Sequence, residues 1–342
     1  MEIDLFSPLK IKDLILPNRI VMPPMALDYG TQSGEVTEKV LEHYSKRAKR
    51  VLQGGVGMII VEHVYVSKRG KTHPCQLGIY SDCFLSGLKK LARTIRQKGA
   101  VAGIQLSHGG GRSLVFPVAP SGFTSPYLSR YGKSVEAIKA PEELSLEAIN
   151  ELGEDFADAA LRALKAGFDL IEIHGAHGYL LNQFYSPLTN KRQDKYGGTI
   201  EKRLQFSLEV IKKVRQRVGE ETPLFFRLGA DDRLPGGNSV EDSIQAAVLL
   251  EQAGIDCLDL SGGLCSYLRE GPEGFFLYMA ETIKPMVSIP VIITGGIKNP
   301  ITANQIITEG KADLIGVGRS LLKEPEWAQK AWEKLKGAKY FN

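Results

Sequence analysis

Four of the six histidines in this 342-residue chain stand at or just beyond the ends of apolar segments: His63, His108, His174 and His177. Imidazole donates and accepts hydrogen bonds near neutral pH, so these groups could bind an oxyanion or transfer a proton. His174 and His177 are three residues apart and could also share a metal ion. No cysteine or HExxH pattern accompanies them, which favours hydrogen bonding or proton transfer.

Two other polar residues interrupt apolar segments. Arg227 lies within the segment 224–228, and Gln105 lies within the segment 100–106. A lone arginine is costly to bury unless an anion or a polar ligand contacts it. Each residue alone could belong to a hydrogen-bonded layer of the core, but their positions beside the histidines favour a ligand-binding site.

Glycine-rich turns follow the last two apolar segments and contain Gly295, Gly296 and Gly318. Glycine allows a phosphate to approach the backbone amides closely, and Arg319 could contact two phosphate oxygens. The glycines could instead serve only as turns. A phosphate site beside hydrogen-bond donors for a flat polar ring predicts a mononucleotide cofactor such as FMN.

Eight short apolar segments must position these residues. Each is continuously apolar, which is typical of strands buried on both faces of a parallel sheet. The segments are 19–25, 57–66, 100–106, 168–173, 224–228, 257–260, 291–294 and 313–317. Amphipathic stretches between them indicate helices, so the sequence predicts an α/β fold, a (β/α)8 TIM barrel with its site at the C-terminal strand ends. A doubly wound sheet is the alternative.

Capping residues mark the beginnings of the predicted helices. Helices are predicted to begin at Thr37, Ser145, Thr199, Ser239 and Asn299, with Ser145 as a cap, a capping box at Ser239 and a proline at the first helical position after Asn299. The stretches 109–143 and 176–199 exceed ordinary loop lengths, so we expect extended βα loops over the site. The strand count predicts a single barrel domain over residues 1–342 that ends too soon for a second redox domain.

The composition limits the classes of partner. The chain has 43 basic and 39 acidic residues and is 43% hydrophobic, which argues against a disordered chain or a polyanionic partner. Basic runs at 46–50 and 212–215 leave a nucleic-acid binder as an alternative, but we expect them to be solvated helix faces. The sequence has no signal peptide and no apolar run of about 20 residues, so we expect a cytoplasmic protein without a membrane partner.

A long motif carries a resemblance to a known family. HGAHGYLLNQF at 174–184 and SPLTNKR at 186–192 resemble the signature of the Old Yellow Enzymes, and the similarity continues to Arg203. Shorter agreements occur at 18–25, 76–82, 104–108 and 316–319. The resemblance spans about residues 5–325. It implies an FMN-containing (β/α)8 ene-reductase that takes hydride from NADH or NADPH and reduces an activated C=C bond.

The resemblance implies roles around a tightly bound, non-covalent FMN. It places Pro23, Pro24, Met25, Ala26 and His63 around the flavin. Gln105 would contact the pyrimidine edge, and Arg227 would lie near N1 and the C2 carbonyl, where it stabilises the reduced ring. The phosphate would be held by Gly295, Gly296, Gly318 and Arg319.

The same resemblance implies the chemistry at the substrate. His174 and His177 would donate hydrogen bonds to the carbonyl or nitro oxygen of an enone, enal, maleimide or nitroalkene. Negative charge develops on that oxygen, and two fixed donors stabilise it. Hydride would reach the β-carbon from flavin N5, and Tyr179 would protonate the α-carbon. An ordinary pKa of about 10 keeps a tyrosine protonated at neutral pH.

Three departures from the family pattern change the expectations. Ala26 stands where relatives have a cysteine or a threonine that contacts the flavin, which predicts a lower reduction potential. Asp28 replaces a substrate-contacting tyrosine and could disfavour acidic substrates, while Tyr29, one position later, is a candidate for that contact. The C-terminus lacks an arginine that some relatives insert into a neighbouring site, which leaves a homodimer and a homotetramer open.

Two alternatives to an ene-reductase stay open at the level of sequence. An FMN-binding barrel could act as an isomerase or as an accessory electron-transfer subunit. A stand-alone relative of the dienoyl-CoA reductases is the other alternative, although the chain has no cysteine cluster for an iron–sulfur centre. We therefore expect electrons to come directly from a nicotinamide dinucleotide.

Overall fold

The computed structural model describes residues 3–48, 54–123, 140–267 and 271–337. Within these residues, eight parallel strands form a closed barrel. We number them β1 (Ile20–Met22), β2 (Met58–Tyr65), β3 (Val101–Ser107), β4 (Leu170–Gly175), β5 (Leu224–Asp231), β6 (Cys257–Gly262), β7 (Val291–Thr294) and β8 (Leu314–Gly316). Each strand overlaps one of the eight predicted segments, so the predicted (β/α)8 barrel is confirmed.

The barrel closes where β8 pairs with β1. In the described structure this pairing consists of Ile315 opposite Ile20 and Gly316 opposite Val21, whereas β4 and β5 pair over five positions. β1 is short because Pro23 and Pro24 follow it. Proline has no N–H to donate to a neighbouring strand, so the ladder ends there.

Ten α-helices lie within the described residues. They are α1 (Glu38–Arg47), α2 (Leu85–Arg96), α3 (Leu146–Lys165), α4 (Leu180–Tyr185), α5 (Ile200–Val218), α6 (Val240–Gln252), α7 (Leu277–Ile283), α8 (Pro300–Thr308), α9 (Arg319–Lys323) and α10 (Trp327–Trp332). No helix in this part of the chain combines the length and the apolar character needed to cross a membrane.

All five predicted helix starts precede a helix, and four of them cap it with their side chains. Thr37, Ser145 and Asn299 each accept a hydrogen bond from a backbone N–H in the first turn. Ser239 forms a capping box with the carboxylate three residues later. Thr199 has the extended backbone of an N-cap, but its side chain makes no capping hydrogen bond within the described structure.

The barrel interior is apolar at its N-terminal end. The residues that fill this end are Val21, Met58, Ile60, Val101, Leu170, Phe225, Cys257, Ile292 and Leu314. An antiparallel hairpin of Leu9–Ile11 and Leu14–Leu16 packs against them through Ile11 and Leu16. Polar ligands are therefore confined to the C-terminal ends of the strands, where the site was predicted.

The expectation that both basic runs are solvated helix faces is wrong for one arginine of each run. Arg47 is buried at the end of α1 and donates hydrogen bonds to the carbonyl oxygens of Leu321 and Leu322, both at 3.0 Å. Arg215 is buried in α5 and pairs with Asp256. Both guanidinium groups join a helix to a distant segment. The last two residues of the first run lie outside the described residues.

The two predicted insertions differ in structure. The stretch 109–143 contains two short parallel strands, Val118–Ala119 and Glu142–Glu143, and its residues 124–139 lie outside the described residues. The stretch 176–199 contains α4. Both follow neighbouring strands, β3 and β4, so their first residues lie at the same rim of the barrel.

Candidate active site

A cavity of about 810 Å³ lies at the C-terminal ends of the barrel strands. Its walls include Pro23, Pro24, Met25, Ala26, His63, Gln105, His174, His177, Tyr179, Arg227, Gly295, Gly296, Gly318 and Arg319. These residues come from seven of the eight strands or from the loops that follow them, and parallel strands bring those ends together. The structure therefore gathers every predicted site residue except Tyr29.

The loop register turns Tyr29 away from the cavity, whose described walls do not include it. Its ring packs edge-on against His43 of α1 with ring centroids 5.9 Å apart, and Lys39 Nζ lies 3.8 Å from its centre. Asp28, with a φ of +56°, accepts a hydrogen bond from the backbone N–H of Cys75 at 2.5 Å. The structure thus does not bring Tyr29 to the predicted substrate site.

Bare backbone and a cation line the end of the cavity beyond β7 and β8. A Cβ atom at Gly318 would lie 2.9 Å from Met25 Sδ, and one at Gly296, whose φ is +68°, would lie 2.7 Å from the Phe275 ring. Larger side chains are therefore excluded at both positions. Arg319 lies beside them, with its Cζ 5.9 Å from the centre of the Phe275 ring. This end of the cavity suits a phosphate group.

Polar side chains from β3 to β6 form a layer directly above the apolar interior. Gln105 Nε2 donates a hydrogen bond to Glu172 Oε1 at 2.8 Å. Arg227 Nε lies 3.3 Å from Asp259 Oδ2, although it is not aligned for a hydrogen bond. Arg227 Nη2 also donates to Ser261 Oγ at 3.4 Å. All five side chains are buried, so the layer presents fixed polar groups to the cavity.

Glu172 and Asp259 are two buried carboxyl groups of this layer that interact electrostatically. Glu172 Oε2 and both Asp259 oxygens are buried and receive no hydrogen bond from the described residues. Burial raises the pKa of Glu172 well above its ordinary value, and the charge of Asp259 raises it further. Burial also raises the pKa of Asp259, but Arg227 opposes this. Glu172 therefore holds the proton, and Asp259 remains the counterion of Arg227.

His174 and His177 lie side by side with ring centroids 5.0 Å apart. The backbone N–H of Ala176 points at His174 Nδ1 from 3.4 Å, which assigns the His174 proton to Nε2. His177 Nε2 lies 2.7 Å from Ser261 Oγ. Burial lowers the pKa of both imidazoles well below the ordinary value, and nearby cations lower it further. Both side chains are therefore neutral hydrogen-bonding groups at pH 7.

Tyr179 presents a neutral phenol at the wall of the cavity. Its Oη lies 3.4 Å from His63 Nε2, and Gln76 Nε2 donates to His63 Nδ1 at 2.9 Å, so the His63 proton points at the phenol oxygen. The side chain of Thr72 is a second hydrogen-bond partner of Tyr179. Burial raises the pKa of Tyr179 and lowers the pKa of His63 to about 3. Tyr179 therefore keeps its proton at neutral pH.

Ser261 and Arg112 are two of the cavity-wall residues that were not predicted as site residues. Ser261 ends β6 just beyond an apolar segment, so the strand-end position that singled out His63 could also have found it. Arg112 lies in the long insertion after β3, where no periodic pattern indicates which side chain faces the site. His108, in contrast, is buried outside the cavity wall, and its Nδ1 accepts a hydrogen bond from the Gly110 N–H at 3.0 Å.

The cavity is electropositive. Its described walls carry no aspartate and no glutamate. The basic residues that line it are Arg112, Arg227, Lys298, Arg319 and Lys323. A concave site lined by one sign of charge concentrates ligands of the opposite sign. The cavity therefore suits anionic ligands.

The sequence pattern of the NADH:flavin oxidoreductase / NADH oxidase family matches residues 4–337. The chain belongs to this family. It is 41% identical over 343 residues to an NADH oxidase of Thermoanaerobacter brockii, a match that covers 96% of this chain and 51% of that protein. It is 39% identical over 340 residues to an NADPH dehydrogenase of Geobacillus sp. (strain WCH70), which covers 98% of this chain and 95% of the relative. The chain thus spans about half of the first relative and nearly all of the second.

The fold agrees with an Old Yellow Enzyme homologue from Zymomonas mobilis. The two structures have a TM-score of 0.83 at 27% identity, and the match covers 97% of this chain and 93% of the other. These findings confirm the resemblance to the Old Yellow Enzymes. They also confirm that the chain is an oxidoreductase. The expected FMN cofactor and nicotinamide co-substrate are likewise confirmed for the family.

The residues that line the cavity fit FMN. The cavity volume is in the range of about 300–1,000 Å³ that is typical of cofactor sites. Gly296 and Gly318 leave room for a phosphate where a Cβ would intrude. In the polar layer, the Arg227 Nε–H is buried and has no hydrogen-bond acceptor among the described residues. A polar ring and a phosphate would therefore meet groups that are already in place.

Proposed function

We propose that this chain is an FMN-dependent ene-reductase that takes hydride from NADPH or NADH and reduces an activated C=C bond. One observation carries the proposal. The rings of His177 and Tyr179 each lie 5.0 Å from the ring of His174, on one wall of the cavity that fits FMN. When bound, FMN supplies hydride transfer between the nicotinamide dinucleotide and the alkene. The chain supplies hydrogen-bond donors and a proton.

Two groups of residues are proposed to hold the cofactor. The backbone of Gly295, Gly296 and Gly318, together with Arg319, binds the phosphate. Gln105 and Arg227 bind the polar edge of the ring system, and the ring is packed by His63, Pro23, Pro24, Met25 and Ala26. This assignment follows the division of the cavity into a glycine-lined end and a polar layer.

The histidine pair is proposed to bind the activating oxygen of the alkene. The proton of His174 is on Nε2, which makes that atom a donor. Ser261 Oγ accepts a hydrogen bond from Arg227 and can donate its own O–H to His177 Nε2, which leaves His177 Nδ1–H as the second donor. Two neutral donors stabilise the negative charge that develops on the oxygen, and removal of one such donor typically costs about 100- to 1,000-fold in rate.

Tyr179 is proposed to deliver the proton to the α-carbon. The phenol is neutral at pH 7 because burial raises its pKa, and the His63 N–H points at its oxygen. As the proton leaves, the hydrogen bond from His63 stabilises the phenolate oxygen. The raised pKa also keeps the acid protonated over the neutral pH range.

The test separates the two halves of the reaction. We expect the purified protein to be yellow, to be bleached anaerobically by NADPH or NADH, and to regain its colour on addition of 2-cyclohexenone, N-ethylmaleimide or a nitroalkene. Comparison of the bleaching rates gives the preferred nicotinamide. A protein that cannot be loaded with FMN would refute the proposal. A protein that is bleached but is reoxidised by no alkene would instead be an electron-transfer subunit.

A further inference from the structure

We infer that Arg112 binds a carboxylate on the alkene substrate, so that this enzyme selects anionic alkenes. The inference rests on the proposed function for the identity of the substrate. The anion site itself is a property of the cavity wall and can be tested without turnover.

Arg112 lies beside the groups proposed to act on the alkene. Its Cζ is 5.8 Å from the centre of the Tyr179 ring, and its guanidinium donates a hydrogen bond to the backbone carbonyl of His177. It packs over Gly178, whose φ is +70° and where a Cβ atom would lie 3.3 Å from Arg112 Cζ. The glycine turn after β4 therefore allows the guanidinium to reach the cavity next to Tyr179.

None of the described residues that interact electrostatically with Arg112 is a carboxylate. The groups that favour its charged form are the phenols of Tyr179 and Tyr267. Its Nε is buried and has no hydrogen-bond partner in the described structure. A buried charge without a partner is costly, and a carboxylate that accepts two parallel N–H bonds removes this cost.

Carboxylates of the chain itself do not neutralise this wall. No acidic side chain lines the described cavity, and the nearby Asp28 is engaged with the backbone N–H of Cys75. The sequence predicted that Asp28 disfavours acidic substrates, whereas we infer that the charge of the cavity wall favours them. The cavity attracts an acid at Arg112.

Position within the barrel favours a substrate carboxylate over a cofactor phosphate. Arg112 follows β3 and packs on the loop after β4, whereas the glycine-lined phosphate end follows β7 and β8 on the opposite side of the barrel. In a nicotinamide dinucleotide, a ribose separates the reacting ring from the nearest phosphate. An anion next to His177 and Tyr179 is therefore best supplied by the alkene.

The first test compares two esters that differ in one charge. Monomethyl fumarate carries a carboxylate at neutral pH, and dimethyl fumarate does not. We expect Arg112→Gln to lower the ratio of kcat/KM for the monoester to that for the diester by about 10- to 100-fold, and Arg112→Lys to restore part of it. Arg69→Gln is the matched control, because Arg69 is exposed and pairs with Glu142 at 2.6 Å outside the cavity wall. An equal loss for both esters in Arg112→Gln would overturn the inference.

The second test uses the holoenzyme without turnover. Calorimetry with monomethyl succinate and dimethyl succinate should show tighter binding of the monoester, and Arg112→Gln should abolish the difference. Absence of a preference in the unaltered enzyme overturns the anion site even if alkenes are reduced. A preference that depends on Arg112 in a protein that reduces no alkene retains the site and refutes the proposed function. If Arg112→Gln slows anaerobic bleaching by NADPH by the same factor, the anion is the dinucleotide, which also overturns the inference.

Discussion

Nε2 of His177 lies 2.7 Å from Oγ of Ser261, which joins the loop after β4 to the end of β6. The same hydroxyl accepts a hydrogen bond from Arg227 at 3.4 Å. One buried hydroxyl therefore orients a group proposed to act on the substrate and a group proposed to act on the cofactor. The tautomer of His177 depends on which way this hydroxyl donates.

Ser261→Ala should reduce alkene turnover by freeing the His177 imidazole to rotate and to change tautomer. We expect kcat/KM for 2-cyclohexenone to fall about 10-fold, which corresponds to the loss of about one hydrogen bond. Stopped-flow measurement of each half-reaction should place most of the loss in alkene reduction. Ser207→Ala is a matched control, because the buried Ser207 hydroxyl has no hydrogen-bond partner among the described residues. Equal effects of both substitutions would contradict the assignment.

Tyr179→Phe should slow alkene reduction by about 100-fold or more while bleaching by NADPH continues at a similar rate, because the proton is needed only in the second half-reaction. Tyr29→Phe separates the two tyrosines that the sequence singled out. Since the Tyr29 ring packs against His43 of α1, we expect this variant to reduce alkenes normally. A large effect of Tyr29→Phe and a small effect of Tyr179→Phe would reverse the assignment.

Glu172→Gln and Asp259→Asn should differ in their effect on stability. The amide that replaces Glu172 can still accept a hydrogen bond from Gln105 and, like the protonated acid, places no second negative charge beside Asp259. We expect a loss of at most about 1 kcal/mol in the free energy of unfolding. Asp259→Asn removes the counterion of buried Arg227 and should cost about 3 kcal/mol. Urea unfolding of both variants gives the order, and a larger loss for Glu172→Gln would place the proton on Asp259 instead.

Ala26→Cys and Ala26→Thr should raise the reduction potential of bound FMN. Ala26 lines the cavity without a side-chain donor, and a new hydrogen bond to the ring stabilises the more electron-rich reduced form. A net gain of about 1 kcal/mol corresponds to about 20 mV for a two-electron couple. Anaerobic redox titration measures the shift. Ala26→Val adds volume without a donor and should give no comparable increase.

His108→Asn should make the protein less sensitive to acid. Burial lowers the pKa of His108 to about 3 in the folded chain, against about 6.5 when unfolded. The unfolded state therefore binds the proton first, and stability is lost as the pH falls below about 6.5. The contribution reaches about 2 kcal/mol at pH 5. The asparagine oxygen can replace Nδ1 as acceptor for Gly110, so the loss between pH 7.5 and pH 5, measured by urea unfolding, should shrink. An unchanged loss would show that His108 titrates in the folded state.

The sequence predicted the barrel well because its strands are buried on both faces. Such strands appear as continuous apolar runs, and the run 57–66 contains the whole of β2. Candidate site residues on the strands, such as His63 near the end of β2 and Arg227 within β5, follow directly from that frame. Site residues on the strands could therefore be placed without knowledge of the loops that follow them.

Loop residues could not be placed in this way. Tyr29 is turned towards α1 by a loop whose register includes the hydrogen bond from the Cys75 N–H to Asp28, and no periodic pattern encodes that bond. Arg112 faces the cavity from a similarly irregular stretch. Arg47 and Arg215 were misread because their partners include distant backbone carbonyls, which every residue carries and no motif marks.

The short pairing of β8 with β1 has a consequence for the cofactor. The segment Pro23 to Ala26 follows β1, Gly318 and Arg319 follow β8, and both segments line the same cavity. A ligand that contacts both segments bridges the seam at which the barrel closes through two residue pairs. FMN would then hold the two strands that close the barrel together, in addition to taking part in the reaction. Its binding free energy would add to the stability of the fold.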